Sequence, residues 1–137
     1  MHQSLKNQVV LTFHGGAIPN PGKGACGYTI TTPDGQIIEH GWTMPGITTN
    51  NEAEYEALEE GLKRVISEFP TLKSLVVMGD SQLVIKQVTC EWTVRNTRLK
   101  EYQKRIVALT RGKLRVHYTH IPRELNGEAD LLTRTAR

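Results

Sequence analysis

Three carboxylates and one histidine, scattered through 137 residues, hold most of the chemistry in this chain. They are His14 in Phe13-His14-Gly15-Gly16, Glu54 in Thr49-Asn50-Asn51-Glu52-Ala53-Glu54, Asp80 in Gly79-Asp80-Ser81-Gln82 and Asp130 in Asn126-Gly127-Glu128-Ala129-Asp130. Phosphodiester hydrolysis with two divalent cations about 4 Å apart needs carboxylates to converge, one ion activating water and the other stabilising the leaving oxygen. Hard cations such as Mg²⁺ favour oxygen donors. Each residue also has a plainer reading: Glu54 and Glu52 would complement the positive end of a helix dipole, and Asp80 and Asn126 would be N-caps of the helices they precede. Only convergence in space separates the two readings.

The elements that must do the positioning are readable from periodicity. Gln8–Phe13 is β-branched and apolar and stops before Gly15-Gly16, which predicts a largely buried strand with His14 at its end. Ala25–Thr32 and Gln36–Thr43 predict two further strands around Pro33-Asp34-Gly35, where glycine supplies the positive φ of a tight hairpin. After Thr48-Thr49 the period becomes about 3.6, with Ala53, Ala57, Leu58, Leu62, Val65, Ile66 and Phe69 on one face and Pro70 as the stop. Thr49-x-x-Glu52 is a capping box at its start. Leu72–Met78 predicts a fourth strand covered on both faces. Helices at about 81–89 and 97–109, a strand at 114–119 and a helix from Asn126 follow. The order βββ, α, β, αα, β, α describes an α/β sheet with antiparallel opening strands and later strands reached by right-handed crossovers. Asp80 falls at the C-terminal end of a strand, where ligands gather in open α/β sheets.

Composition limits the possibilities further. Charged residues at 23% and hydrophobic ones at 38% suit a soluble domain. There is no apolar run near the roughly 20 residues of a membrane span, and Met1–Asn7 lacks a signal-peptide core. The expectation is a cytoplasmic, monomeric, single domain over residues 1–137. Cys26 and Cys90 form no CxxC pattern and are expected to be free buried thiols. Residues 1–85 carry five Lys/Arg against nine Asp/Glu, whereas residues 86–123 carry ten against two. That basic block is either a solvated helix face or a phosphate-binding surface. Lys86, Arg95, Arg98, Lys100, Lys104 and Arg105 are its candidate phosphate contacts, and Trp92 is expected to pack rather than stack on bases. Gly22-Lys23-Gly24-Ala25-Cys26-Gly27 matches the dinucleotide pattern in letters but continues as strand instead of opening a helix, so no organic cofactor is implied.

Gly15-Gly16 with Asn20-Pro21-Gly22, Thr49-Asn50-Asn51-x-x-Glu54, Asp80-Ser81-Gln82 and Pro122-Arg123-Glu124-x-Asn126-x-x-Ala129-Asp130 together resemble type 1 ribonuclease H, the family that cleaves the RNA strand of RNA–DNA hybrids. The resemblance runs over roughly residues 8–136. It implies a ribonuclease H-like fold: a five-stranded mixed sheet, three strands antiparallel and then two parallel, flanked by helices. It implies that Glu54, Asp80 and Asp130 are catalytic carboxylates ligating two ions, Mg²⁺ or Mn²⁺, with Glu54 near the RNA 2′-hydroxyl. Asn20, Asn50, Asn51 and Gln82 would touch minor-groove edges and sugars, where the 2′-OH marks RNA. Thr49 would meet a DNA phosphate, and Gly15 and Gly16 would lie along the substrate. His120, ten residues before Asp130, takes the place of a histidine that assists proton transfer or product release; a plain strand-end residue is the other reading.

His14 stands where that family carries its first aspartate, which bridges both metals. Neutral imidazole offers one lone pair, cannot bridge and brings no negative charge. As a metal ligand it should weaken the site, most for Mg²⁺ and less for Mn²⁺, which accepts nitrogen more readily. Impaired cleavage is expected. Three explanations stay open: a silent variant that still binds hybrids, an enzyme that prefers Mn²⁺, or a structural histidine in a protein with another role. A non-enzymatic nucleic-acid-binding module on the same fold would bind hybrid without turnover and with salt-sensitive affinity. An integrase-like nuclease matches the Thr49-Asn50-Asn51 and Asp80-Ser81-Gln82 runs less closely.

Overall fold

The computed structural model describes residues 7–125. Three strands, β1 (Val10–Ile18), β2 (Gly22–Thr31) and β3 (Ile37–Thr48), lead into helix α1 (Asn50–Glu68). Strand β4 (Ser74–Gly79), helices α2 (Gln82–Val88) and α3 (Thr97–Thr110), strand β5 (Arg115–His120) and a 3₁₀ turn at Arg123–Leu125 follow. The sheet order is β3-β2-β1-β4-β5. β1, β2 and β3 pair antiparallel, and β4 is parallel to both β1 and β5. This is the expected mixed sheet. The helix expected from Asn126, and Asp130 on it, lie outside the described residues.

The first strand differs from expectation in a way that matters. It does not stop at His14 but runs on through Gly15-Gly16 to Ile18, paired with β2 throughout. β4 stops earlier, its last partner being Phe13 opposite Gly79. His14 is therefore the first residue of the central strand to lose its β4 neighbour, and a mouth opens beside it. Gly15 is needed for closeness rather than for a turn: a Cβ there would lie 2.3 Å from the backbone carbon of Ala53, so α1 can press onto the strand only because that atom is missing. The third strand is also longer than expected, continuing past Thr43 to Thr48 through Pro45 and a positive-φ Gly46. An edge strand tolerates both residues, because its outer N–H row has no partner.

α1 starts at the predicted capping box. Thr49 Oγ1 accepts from the Glu52 N–H at 3.1 Å and the Glu52 carboxylate accepts from the Thr49 N–H at 3.0 Å. Its apolar stripe of Ala53, Ala57, Leu58, Leu62 and Val65 is buried against Leu11, Phe13 and Ile30 of the sheet, with Ile66 and Phe69 partly covered. Burial of each larger aliphatic side chain contributes about 1.5–3 kcal/mol. The Pro33-Asp34-Gly35 hairpin turn forms as predicted, with Gly35 at φ 91°. α2 is capped by Ser81, whose Oγ accepts from the Val84 N–H. Asp80 is thus not the N-cap, and its carboxylate is directed elsewhere.

Candidate active site

The mouth beside β1 is a cleft of about 440 Å³. His14 comes from β1, Glu54 from the second turn of α1 and Asp80 from the residue after β4. These three, contributed by segments 40 and 26 residues apart, each offer a ligand atom within 4.8 Å of the others. The predicted convergence is observed for them. Gly15, Gly16, Asn50 and Asn51 line the same cleft, together with Ala17, Ile18 and Arg123.

His14 Nδ1 lies 3.0 Å from Asp80 Oδ1, both side chains being almost fully buried. An ionised carboxylate can only accept, so the imidazole donates from Nδ1 and its one lone pair resides on Nε2. At this position a carboxylate would have repelled Asp80; histidine instead gives it a partner. Glu54 is the second carboxylate of the cleft. Burial pushes its carboxyl up to about 7 and Asp80 adds to the rise, while His14, a hydrogen bond from Ser81 and the charge of Arg123 pull it back. Three donors of N, O, O type around a partly desolvated carboxylate suit a divalent cation.

Other predicted residues take supporting positions. Asn20 Oδ1 accepts from the Asn50 N–H at 3.0 Å and Asn50 Oδ1 accepts from the Ala17 N–H at 2.7 Å, so the two asparagines latch the β1–β2 turn to the start of α1. Thr49 uses its hydroxyl in the cap described above. Gln82 opens α2 and does not line the cleft. His120 ends β5, exposed, with Nε2 donating to the Asp80 carbonyl at 3.3 Å, which sets it at the rim beside the acidic group.

Two participants were not picked out from sequence. Arg123 was visible only as part of Pro122-Arg123-Glu124, and Ser81 only as a neighbour of Asp80; an arginine and a hydroxyl are common types with no spacing of their own. The candidates of the basic block divide in the structure. Four of its six candidates hold carboxylates of this chain: Lys86 with Glu91 at 3.0 Å, Arg98 with Glu52 at 3.2 Å, Lys104 with Glu101 at 4.0 Å and Arg105 with buried Glu59 at 2.8 Å. Trp92 is 44% exposed, not packed, since the loop after α2 lifts it off the core. Cys26 is buried as expected, but Cys90 is exposed, sitting at φ 65° where the chain leaves α2. No helix among the described residues is long and apolar enough to cross a membrane.

Comparison with known proteins agrees with this arrangement. Residues 13–136 match the family described as reverse transcriptase-like. The chain is 36% identical over 124 residues to Ribonuclease HI of Halobacterium salinarum, covering 90% of this chain and 61% of that protein. The crystal structure of RNase H1 from that archaeon superimposes with a TM-score of 0.86 over 94% of this chain and 96% of that one. LC11-RNase H1, solved in complex with RNA/DNA hybrid, is 32% identical with a TM-score of 0.87, covering 94% and 96%. The bifunctional protein Rv2228c of Mycobacterium tuberculosis is 32% identical over 130 residues, which span 94% of this chain but 35% of that protein. The chain thus spans less than two thirds of these two curated relatives' full lengths. In sequence, sheet order and the residues gathered at the mouth, the chain belongs to the reverse transcriptase-like family, within its type 1 ribonuclease H group.

Proposed function

We propose that this chain cuts the RNA strand of RNA–DNA hybrids endonucleolytically, as a divalent-metal-dependent ribonuclease H whose activity is impaired by His14. The observation that carries the reading is the meeting of His14, Glu54 and Asp80 in one cleft, on a chain 32% identical to a ribonuclease H solved with hybrid. Asp130 is proposed as the fourth ligand. When bound, the divalent ions supply water activation and charge stabilisation of the leaving oxygen.

The chain's own residues supply the rest. Glu54 and Asp80 provide the negative oxygen donors, and His14, engaged with Asp80 through Nδ1, provides a nitrogen at most. Two ions in one site therefore meet one negative charge fewer than four carboxylates would give, and Mg²⁺ is held less well than Mn²⁺. Gly15 and Gly16 lie along the substrate, Asn20, Asn50, Asn51 and Gln82 touch minor-groove edges and sugars, and Thr49 meets a DNA phosphate. His120, at the rim beside Asp80, moves a proton during leaving-group departure. The protein is read as a cytoplasmic monomer, one domain over residues 1–137, acting without an organic cofactor.

A second reading is favoured by the 3.0 Å contact between His14 and Asp80: the imidazole occupies a metal ligand and the chain binds hybrid without cutting it. Cleavage of a labelled hybrid in Mg²⁺ and separately in Mn²⁺, by this chain and by His14→Asp, decides between them. Cutting by both proteins, stronger for the parent in Mn²⁺, supports the impaired enzyme. Cutting by the variant alone supports the silent binder. Cutting by neither refutes the hydrolase.

A further inference from the structure

The positive charge of the 86–123 block is not spread evenly once its ion pairs are set aside. α3 lies against the acidic face of α1, and Arg98 and Arg105 are taken up by Glu52 and Glu59 there. Part of the remaining charge gathers at the turn between α3 and β5, where Lys113 and Arg115 meet Lys73, the residue before β4. The two strand starts are joined by the Arg115 N–H donating to the Lys73 carbonyl at 2.8 Å. These three cations, with Ser74, Gly112 and Leu114, line a groove of about 620 Å³ that contains no carboxylate. All three side chains are exposed, and none forms an ion pair among the described residues.

The groove is separate from the cleft. β4 begins at the groove and ends at Gly79 beside Asp80, so the two sites are about 23 Å apart along an extended strand. We propose that the Lys73–Lys113–Arg115 groove is a second nucleic-acid site, holding the phosphate backbone of a single strand without reading its bases. Like-charged side chains kept close together with no internal counter-charge repel one another, and a polyanion relieves that repulsion. An arginine fork and two lysine point charges match phosphate oxygens. An acidic peptide would need an apolar anchor pocket to bind well, and Leu114 is the one apolar side chain here, itself buried. With no aromatic platform in the groove, stacking contributes nothing and the affinity is ionic.

Fluorescence anisotropy of a labelled oligothymidylate of about 16 nucleotides, titrated in EDTA so that neither cleavage nor metal-dependent binding in the cleft enters, tests this. The parent is compared with Lys73→Gln/Lys113→Gln/Arg115→Gln. Each phosphate contact to a single strand contributes about 0.7 to the slope of log affinity against log salt, so the triple variant should lose about 2 from that slope. Between about 50 and 200 mM salt the parent should then lose roughly 20-fold more affinity than the variant. Lys113→Gln alone should lose about 0.7, and its far-UV spectrum should match the parent's. Equal slopes for parent and variants overturn the site. So does a polyglutamate peptide that binds the parent at least as tightly as the oligonucleotide and is lost in the triple variant, since the groove would then take acidic peptides. Failure of hybrid cleavage would leave either result unchanged.

Discussion

Replacing Gly15 with alanine probes the contact on which the cleft depends. The backbone of Gly15 has no positive φ, so alanine itself is not strained there; the obstacle is the α1 backbone. The added Cβ would sit 2.3 Å from Ala53 C, 2.4 Å from its O and 2.6 Å from Glu54 N, against an ordinary contact of at least 3.4 Å. The helix must therefore move by about 1 Å or more, and it cannot yield as a flexible side chain would. Overpacking of this kind costs typically about 1–3 kcal/mol; with backbone on both sides we take the upper part, about 2–3 kcal/mol. At an unfolding entropy of about 2.1 cal/mol/K per residue, that lowers Tm by about 7–10 °C for 137 residues. Glu54 moves with α1, away from His14 and Asp80, so Mn²⁺ affinity should fall as well, by about tenfold for a displacement of ligand geometry. Thermal melts by circular dichroism and calorimetric Mn²⁺ titration measure both. Gly35→Ala is the control: it sits in open space at φ 91°, costs about 1–2 kcal/mol through backbone strain and leaves Mn²⁺ binding unchanged. A Gly15→Ala protein that melts within about 1 °C of the parent and binds Mn²⁺ equally well refutes the reasoning.

Three further outcomes follow from the same structure. Arg105→Ala should destabilise the fold by about 1–2 kcal/mol, less than a fully buried pair because the arginine is half-exposed, since among the described residues it leaves buried Glu59 with only Lys63 nearby at 3.7 Å; Arg98→Ala, where the arginine is mostly exposed and Glu52 keeps its capping bond to Thr49, should stay within about 0.5 kcal/mol in the same urea titration. Tyr55→Phe removes the 2.7 Å hydrogen bond to buried Gln87 and should cost about 1–2 kcal/mol in that assay. Thiol labelling of the native protein at pH 8 should modify Cys90 and spare Cys26, whose thiol burial holds far above the usual range, with Glu56 and Glu60 adding to the rise; mass spectrometry finding Cys26 labelled in the folded chain would contradict the burial.

Much of the architecture was legible because it is set by local chemistry. The capping box at Thr49, the glycine of the Pro33-Asp34-Gly35 turn and the 3.6-residue apolar stripe of α1 are short-range signals, and each formed where predicted. Asp80 at the end of β4 was legible for the same reason. What was missed depends on partners distant in sequence. Gly15-Gly16 looks like a strand terminus in isolation, whereas Gly15 admits a helix 38 positions later. The basic block reads equally as a solvated helix face or a phosphate-binding surface, because nothing local says that Glu52 and Glu59 will neutralise part of it. Ser81 and Asp80 compete for the same cap in sequence, and only the pull of His14 on the carboxylate shows which takes it. Asp130, expected at the cleft, lies outside the described residues.

Because β1 is the middle strand, with two strands on each side in the register β3-β2-β1-β4-β5, His14 is anchored in the part of the sheet that opens last. Fraying of β3 or β5 exposes amides at the edges without disturbing the pairing of β1, so local opening and loss of the cleft are uncoupled. Amide hydrogens of Val10–Phe13, paired on both sides, should exchange only through whole-molecule unfolding, at rates reporting the full stability, while those of β3 and β5 exchange sooner. Whatever ion or strand the cleft holds, its floor persists for as long as the molecule stays folded.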